Sequence, residues 1–225
     1  MEHFLQSLDQ VLLSHADKEK APQMAKYMRN LFPFLGIQSP VRKKILSDLV
    51  KDHGLPPKES LEEIVTYCWE KPEREYQMIG MGIAGKYLRQ LEPGDINLFT
   101  RMITLKSWWD TVDYIAATLV GRLFSMYPEI RDKEIPVWIS SGNLWLQRST
   151  IIFQLKYKDK TNTDLLEKNI LALQPGKEFF INKAVGWALR EYSKTDPLWV
   201  MHFTKTQPLS PLSYREALKW INRKK

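Results

Sequence analysis

Apolar residues recur at three- and four-residue spacing along almost the whole chain, as in NLWLQRSTIIFQLKYK. This spacing gathers apolar side chains on one face of a helix and predicts amphipathic α-helices. The alternating pattern and the Asn-Gly or Asp-Gly turns of β-hairpins are absent from the sequence. Proline and glycine interrupt the pattern at Pro33, Gly54 to Pro57, Pro93-Gly94, Pro128, Gly142, Pro175-Gly176 and Pro208 to Pro211. The sequence therefore predicts an all-α fold, with helices of about 12 to 18 residues between the breaks.

The helical segments also repeat along the chain. EYQMIGM at 75, DTVDYIA at 110, LQRSTII at 146 and INKAVGW at 181 follow one another at steps of 35, 36 and 35 residues, and YREALKW at 214 follows after 33. A helical period of this length indicates stacked helix pairs, which form an α-solenoid. The short repeat and the Ala or Gly positions of its second helix favour HEAT-like units over tetratricopeptide units.

This period predicts one continuous domain over residues 1–225. The spacing is irregular before about residue 70, so we expect an N-terminal helical cap over 1–70 and regular repeats over 71–225. A solenoid has a concave face, and the net charge of +7 predicts that this groove is basic.

Equivalent positions of successive repeats should line up on one surface. Asp113, Arg148 and Lys183 are 35 residues apart in turn and should form one column. Trp109, Trp145 and Phe180 should form a second column one helical turn earlier. Because Trp109 lies four residues before Asp113, the two share a helix face. We expect a cluster of Trp109, Asp113, Arg148 and Trp187, with Lys183 behind it.

A purely structural interpretation competes with this cluster. HEAT-type repeats often carry Asp and Arg at fixed positions that bridge neighbouring repeats, and aromatic columns usually belong to the core. However, Trp108 and Trp109 are about 100° apart around a helix and cannot both face the same core. We expect Trp108 in the core and Trp109 at a groove. Gly186, beside Trp187, lacks side-chain bulk and should let another group approach closely.

Basic residues cluster near these positions, which suits a nucleic-acid duplex. An anionic membrane or an acidic protein partner would also suit the charge, but neither gives a role to the paired tryptophans and aspartates. The clusters are Arg42 to Lys44, Lys156 with Lys158, Arg190 with Lys194, and Arg215, Lys219 and Arg223 to Lys225.

Other features narrow the class of protein. No apolar run approaches the ~20 residues of a membrane helix, and the first residues, MEHFLQSLDQ, lack the pattern of a signal peptide. A lone cysteine, Cys68, fits a reducing compartment. The four histidines have no metal-binding spacing. We therefore expect a cytoplasmic protein without a metal or other cofactor.

Four stretches, YMRNLFPFLGIQSP, TLKSWWDTVD, NLWLQRSTIIFQLKYK and KEFFINKAVGWALREYSKT, resemble the AlkD-type DNA glycosylases of bacterial DNA alkylation repair. The likeness runs over essentially the whole chain, and the combination of SWWDxVD, WLQR and GWxLREY is specific. The family loop often reads GIQTP; here Ser39 replaces the threonine and keeps its hydroxyl.

The resemblance implies a HEAT-like enzyme that removes cationic alkylated purines, 3-methyladenine and 7-methylguanine, from duplex DNA as a monomer associated with the nucleoid. It implies that Asp113 is the catalytic carboxylate, that Trp109 and Trp187 flank the deoxyribose, and that Arg148 contacts the neighbouring backbone. Gln38 would lie near the lesion pair. Together with the basic clusters, we expect DNA to be bound also by Tyr27, Arg42, Lys43, Lys156, Lys158, Lys183 and Arg190.

The expected chemistry is monofunctional hydrolysis of the N-glycosidic bond. A cationic base leaves as a neutral molecule, so no general acid is required. Lyase chemistry would need a lysine at the sugar carbon, and in the column only Lys183 is a candidate. The main alternative is a non-catalytic HEAT-like protein that binds DNA structures or acts as a scaffold.

Overall fold

The structure is a computed structural model that describes residues 1–174 and 176–223. Pro175 of the sixth predicted break, and Lys224 and Lys225 of the basic C-terminal cluster, lie outside these residues. Every regular element in the described ranges is a helix, which confirms the all-α prediction. The chain divides into two compact units, Met1–Leu91 and Glu92–Lys225. The predicted single domain with a cap over 1–70 stays a prediction.

The first unit is built from five α-helices. They are α1 (Glu2–Ser14), α2 (Ala21–Tyr27), α3 (Ser39–His53), α4 (Leu61–Glu70) and α5 (Arg74–Ala84), with single 3₁₀ turns at Lys58–Ser60 and Gly85–Tyr87. Helix α5 packs against α3 and α4, and α1 packs against α3. Leu8, Leu12, Ile64 and Ile79 are almost fully buried, so the apolar stripes seen in the sequence form this core.

The second unit contains the regular part of the repeat. Its helices are α6 (Asp95–Thr104), α7 (Trp109–Tyr114), α8 (Gly121–Met126), α9 (Pro128–Ser140), α10 (Leu144–Ile152), α11 (Thr163–Ala172), α12 (Phe179–Tyr192), α13 (Pro197–Thr206) and α14 (Pro211–Asn222), with a 3₁₀ turn at Lys158–Lys160. Helix α10 packs against α7 and α12, and α12 packs against α14. Helices one sequence period apart therefore lie side by side in this unit.

A π-helical segment, Ile115–Val120, joins α7 to α8 without a break. Five of its six residues are buried, so the wider turn is packed into the core rather than exposed. Helix α7 ends at Tyr114, one residue after Asp113. Such segments are rare and often lie beside functional residues, and here the π segment begins two residues after the candidate carboxylate.

Gly121 allows two backbone segments of the second unit to touch. A Cβ atom at this position would lie 2.4 Å from the carbonyl oxygen of Phe153. The Gly121 carbonyl oxygen also accepts a hydrogen bond from the Tyr157 hydroxyl, at 2.5 Å. Since backbone atoms cannot yield as a flexible side chain can, only glycine fits here.

We expect Gly121→Ala to lower the free energy of unfolding by about 2 kcal/mol, because the new methyl group overpacks a rigid contact. Gly94→Ala is the matched control, since a Cβ there would meet nothing within 4 Å. Urea denaturation of both variants measures the difference. Equal stability of the two variants would show that the close approach is not rigid.

Candidate functional site

Asp113 and Arg148 form a two-pronged ion pair between α7 and α10. The Arg148 Nε donates to Asp113 Oδ1 at 2.8 Å, and Nη2 donates to Oδ2 at 2.9 Å. Arg148 is 4% exposed, and the Asp113 side chain is 18% exposed. The third guanidinium nitrogen, Nη1, donates to the Phe180 carbonyl oxygen at 2.5 Å, in the first turn of α12. The register of 35 residues thus brings Asp113 and Arg148 together.

The surroundings of Asp113 oppose its ionisation. Burial raises the pKa of the Asp113 carboxyl, and the hydrogen bonds and charge of Arg148 only partly offset that effect. The nearby negative charge of Asp110 adds to the rise in pKa. Asp113 is therefore an aspartate that protonates at a higher pH than an exposed one, with an arginine fixed on both of its oxygens.

A cleft of about 330 Å³ opens beside this ion pair. Asp113 and Tyr114 form one wall of the cleft, and Trp187 and Glu191 of α12 form another. Its remaining lining residues are Ala117, Thr118, Leu155 and Lys156. Trp187 packs against the apolar core of the second unit, which fixes the position of this wall. The carboxylate and the aromatic ring thus meet across a space open to a ligand.

Trp108 belongs to the aromatic cluster that contains Trp145 and Phe180. Trp108 contacts Trp145 and Phe180, with ring centroids 5.6 and 5.2 Å apart, and the latter two rings are 5.1 Å apart. Trp108 therefore contacts both rings that were predicted to align with Trp109, and the place of Trp109 in the column stays a prediction. Trp108 precedes α7 in extended backbone (φ −159°, ψ 160°), so its side chain leaves the helical register. Trp109 begins α7 and is half-buried, but it does not line the Asp113 cleft.

The two lysines after α10 lie in different places. Lys156 lines the Asp113 cleft, and its Nζ donates to the Thr118 hydroxyl at 2.6 Å and lies 5.8 Å from the centroid of the Tyr114 ring. Partial burial lowers the pKa of Lys156. Lys158 has a positive φ of 54° and lines a second cleft of about 230 Å³ on the other side of Leu155.

Lys183 and Arg190 of α12 share a carboxylate partner. Lys183 Nζ lies 3.3 Å from Glu216 Oε1, and Arg190 Nη1 lies 2.8 Å from Glu216 Oε2. Neither residue lines the Asp113 cleft. The close approach predicted at Gly186 is real, and the approaching group is α14 itself: a Cβ on Gly186 would lie 2.4 Å from the Cβ of Glu216.

In the first unit, Tyr27 and Gln38 line one cleft of about 230 Å³, together with Lys20, Gln23, Met24, Met28, Phe34 and Met78. Tyr27 is 72% exposed, which is high for an aromatic residue type of intermediate burial. Gln38 is the residue before the first turn of α3. Arg42 is half-buried and Lys43 is exposed, one turn further along that helix.

A buried carboxylate that the sequence analysis missed positions the GIQSP loop. Glu75 is fully buried at the start of α5 and accepts three backbone hydrogen bonds, from the amides of Leu35, Gly36 and Ile37, at 2.9 to 3.0 Å. The next residue along the loop is Gln38. Gly36 has a φ of 89°, and a Cβ there would collide with the Asp17 carbonyl. The position of Glu75 beside a run of apolar residues was the sequence feature that could have indicated its burial.

Across residues 1–174 and 176–223, no three His, Cys, Asp or Glu side chains are grouped so that they could hold a metal ion. Over the same residues, no helix combines the length and hydropathy needed to cross a membrane.

Comparison with known proteins decides the family. The family model described as DNA alkylation repair enzyme matches residues 8–221. The chain belongs to the DNA alkylation repair enzyme family. One solved structure, described as a predicted DNA alkylation repair enzyme from Enterococcus faecalis, is 34% identical, and the match covers 92% of this chain and 96% of that one, with a TM-score of 0.84. A search of curated proteins gave no significant match.

Membership in the DNA alkylation repair enzyme family confirms the resemblance found in the sequence. It also makes repair of alkylation damage in DNA the general function of this chain. The ion pair, the cleft and the basic side chains described above are the structural features that can be related to that function.

We expect Arg148→Met to lower the free energy of unfolding by about 3 to 5 kcal/mol at neutral pH, because it leaves a buried carboxylate without its partner. The folded-state pKa of Asp113 is already raised, and this variant raises it further. The loss of unfolding free energy should therefore be small in acid, where Asp113 is protonated in both proteins. It should grow as the pH rises above the folded-state pKa of Asp113 in the wild type.

Urea denaturation at acid and neutral pH measures this loss. Arg131→Met, which breaks a pair with the exposed Asp132, is the matched control and should cost no more than about 1 kcal/mol. Adding Asp113→Asn to Arg148→Met should remove the pH dependence. A loss that does not vary with pH would contradict the assignment of the effect to Asp113.

Proposed function

We propose that the protein is a monofunctional DNA glycosylase that hydrolyses the N-glycosidic bond of cationic alkylated purines, such as 3-methyladenine and 7-methylguanine, in duplex DNA. The observation that carries this proposal is the Asp113 carboxylate, which is held by Arg148 and lines a cleft that Trp187 also lines. Membership in the DNA alkylation repair enzyme family supports alkylated DNA as the substrate class.

The first step of the proposed reaction is departure of the base. A purine alkylated at N3 or N7 carries a positive charge and takes the bonding electrons with it as a neutral leaving group. The deoxyribose becomes an oxocarbenium-like cation. A carboxylate about 4 Å from that cation contributes ~4 kcal/mol at an effective dielectric constant near 20, which is roughly a thousandfold in rate.

The residues of the cleft fit the rest of the proposed reaction. The Trp187 ring, fixed against the core, can hold the sugar and stabilise its charge through a cation–π contact. Asp113 can also orient the attacking water. None of the residues that line the cleft is a histidine, and the proposed chemistry needs no general acid. Trp109 is the second proposed sugar-flanking residue; it begins the helix that carries Asp113 but does not line the cleft, so this role requires the sugar to extend beyond the cleft.

Hydrolysis without lyase activity is the proposed outcome. Lys183, which the sequence offered as a Schiff-base candidate, is paired with Glu216 and does not line the cleft. Lys156 does line the cleft, and its amine donates to Thr118. We assign Lys156 to a phosphate of the substrate, because DNA presents a phosphate beside every deoxyribose.

Duplex binding is proposed to use the basic and polar side chains of both units. In the first unit these are Tyr27, Gln38, Arg42 and Lys43; in the second they are Lys156, Lys158, Lys183 and Arg190. Contacts of this kind release counterions, so the affinity should fall steeply with salt. A monomer working on chromosomal DNA in the bacterial cytoplasm and nucleoid is the proposed setting.

One observation favours a second candidate, a non-catalytic protein that binds DNA structures. Both oxygens of Asp113 accept hydrogen bonds from Arg148, which is also the arrangement of a structural Asp–Arg ladder between repeats. An aspartate that only bridges neighbouring repeats does not need to line a cleft, whereas Asp113 lines one together with Trp187. The glycosylase is therefore the better-supported function.

We expect Asp113→Asn to slow the release of 7-methylguanine from methylated duplex DNA about a thousandfold, because the charge that stabilises the sugar cation is lost. Affinity for the same duplex should stay within about twofold, since no basic side chain is removed. Single-turnover assays and fluorescence anisotropy measure the two quantities.

Asp110→Asn is the control, because it removes the same charge from the same helix without touching the cleft lining. Release at the wild-type rate by Asp113→Asn would refute the mechanism. Wild-type protein that binds the duplex but releases no base would favour the non-catalytic candidate.

The rate of base release should depend on pH through Asp113. Only the ionised carboxylate stabilises the sugar cation, so the rate should rise with pH and then level off. Because burial raises the pKa of Asp113, the midpoint should lie above the ordinary aspartate value of 3.8. Asp110→Asn should move the midpoint to lower pH, since Asp110 adds to the raised pKa. A rate that is flat across the acid range would contradict this role.

A further inference from the structure

One buried carboxylate of α14 collects three cationic side chains. Glu216 is 5% exposed. Its Oε1 accepts from Lys219 Nζ at 2.5 Å and lies 3.3 Å from Lys183 Nζ, and its Oε2 accepts from Arg190 Nη1 at 2.8 Å. Two of these cations, Lys183 and Arg190, come from α12, and the third comes from α14. We call Glu216, Lys183, Arg190 and Lys219 the Glu216 cluster.

The backbone places Glu216 where it can reach all three cations. Gly186 lets α14 come so close to α12 that a Cβ at that position would overlap the Cβ of Glu216 and lie 3.0 Å from the Ser213 carbonyl oxygen. The Ser213 hydroxyl donates to the Asn182 carbonyl oxygen at 2.9 Å, which fixes the two helices in this register. A longer interhelical distance would take Glu216 out of reach of Lys183 and Arg190.

The charges of the Glu216 cluster do not cancel. One carboxylate faces three cations, which leaves a net charge of +2. Burial alone would raise the pKa of Glu216, but the hydrogen bonds from Lys219 and Lys183 outweigh burial and lower it, so Glu216 is ionised at neutral pH. Glu216 is almost fully covered, whereas the side chains of Lys183, Arg190 and Lys219 are 40%, 31% and 43% exposed. The excess positive charge therefore faces solvent.

The Glu216 cluster lies beside the candidate active site. Lys183, Trp187 and Arg190 are at positions i, i+4 and i+7 of α12 and run along one side of that helix. Trp187 lines the cleft that contains Asp113. A strand whose sugar occupies that cleft would pass a neighbouring phosphate over this side of α12.

We propose that the Glu216 cluster is a preorganised binding site for a phosphodiester group of the DNA strand, in which Glu216 is the positioning residue and Lys219 is a further phosphate contact. The proposal rests on the DNA-binding function proposed above and assigns one phosphate contact of that binding to this cluster. Glu216 restrains two flexible lysines and an arginine before the DNA arrives, which reduces the conformational entropy lost on binding.

If Glu216 had only an electrostatic role, its replacement would change DNA affinity in the opposite direction. If Glu216 only neutralised part of the positive surface, its replacement by glutamine would add one unit of positive charge and strengthen the binding of DNA. If Glu216 positions the cations, the same replacement should weaken binding in spite of the added charge. The direction of the change separates the two roles.

The first test measures the affinity of Glu216→Gln for an undamaged duplex by fluorescence anisotropy. The expected result is binding about tenfold weaker than wild type, as for the loss of one or two charge-assisted hydrogen bonds. Asp132→Asn makes the same change of net charge at an exposed carboxylate and should bind at least as tightly as wild type. In a Lys183→Ala, Arg190→Ala background the effect of Glu216→Gln should largely disappear. Equal or tighter binding by Glu216→Gln would overturn the proposal.

A second test uses a variant that leaves the buried Glu216 unchanged. The Lys219 side chain is 43% exposed, so Lys219→Ala should fold normally, weaken duplex binding and reduce the slope of log affinity against log salt by about 1. Lys205→Ala removes an equal charge from the exposed end of α13 and should leave that slope unchanged. Equal slopes for the two variants would overturn the assignment of Lys219.

Release of 7-methylguanine is measured in parallel with binding. The results then distinguish failure of the glycosylase proposal from failure of the proposed phosphate site at the Glu216 cluster. Wild-type protein that binds DNA without releasing 7-methylguanine would refute the glycosylase and leave the binding result to decide on the Glu216 cluster. Wild-type protein that releases the base, with Glu216→Gln binding as tightly as wild type, would refute the Glu216 cluster alone.

Discussion

The ion pair between Asp113 and Arg148 is the interaction on which the candidate site depends. Burying two charges is costly unless their hydrogen bonds are satisfied, and here each carboxylate oxygen has a guanidinium donor while the spare nitrogen bonds the Phe180 carbonyl. One arginine thereby ties together α7, α10 and α12. The carboxylate can stay charged at the edge of an apolar core because this arrangement holds it there.

The sequence predicted part of this arrangement for a physical reason. Helices α7, α10 and α12 pack side by side, so residues one period apart come into contact, and a spacing of 35 residues placed Arg148 against Asp113. The contacts of Trp108 with Trp145 and Phe180 were not predicted, because Trp108 lies before the helix in extended backbone. Periodicity describes residues inside helices and carries no information about side chains at their ends.

Two carboxylates escaped the sequence analysis for a related reason. Glu75 and Glu216 lie on helices whose pattern is amphipathic, and a glutamate in such a pattern is normally on the solvated face. Both are buried because their partners come from elsewhere in the chain: loop amides for Glu75, and mainly the cations of α12 for Glu216. Partners that lie far away in the sequence can be identified only from the packing of the helices. The all-α class, in contrast, follows from local spacing and needed no packing information.

The hydrogen bonds to Glu75 have a consequence for the order in which the first unit can fold. The amides of Leu35, Gly36 and Ile37 find their acceptor 38 to 40 residues further along the chain, at the start of α5. These three hydrogen bonds can form only once the start of α5 has docked against the loop. The backbone just before Gln38 therefore gains its native hydrogen bonds together with α5 or after it, although it precedes α3, α4 and α5 in the sequence.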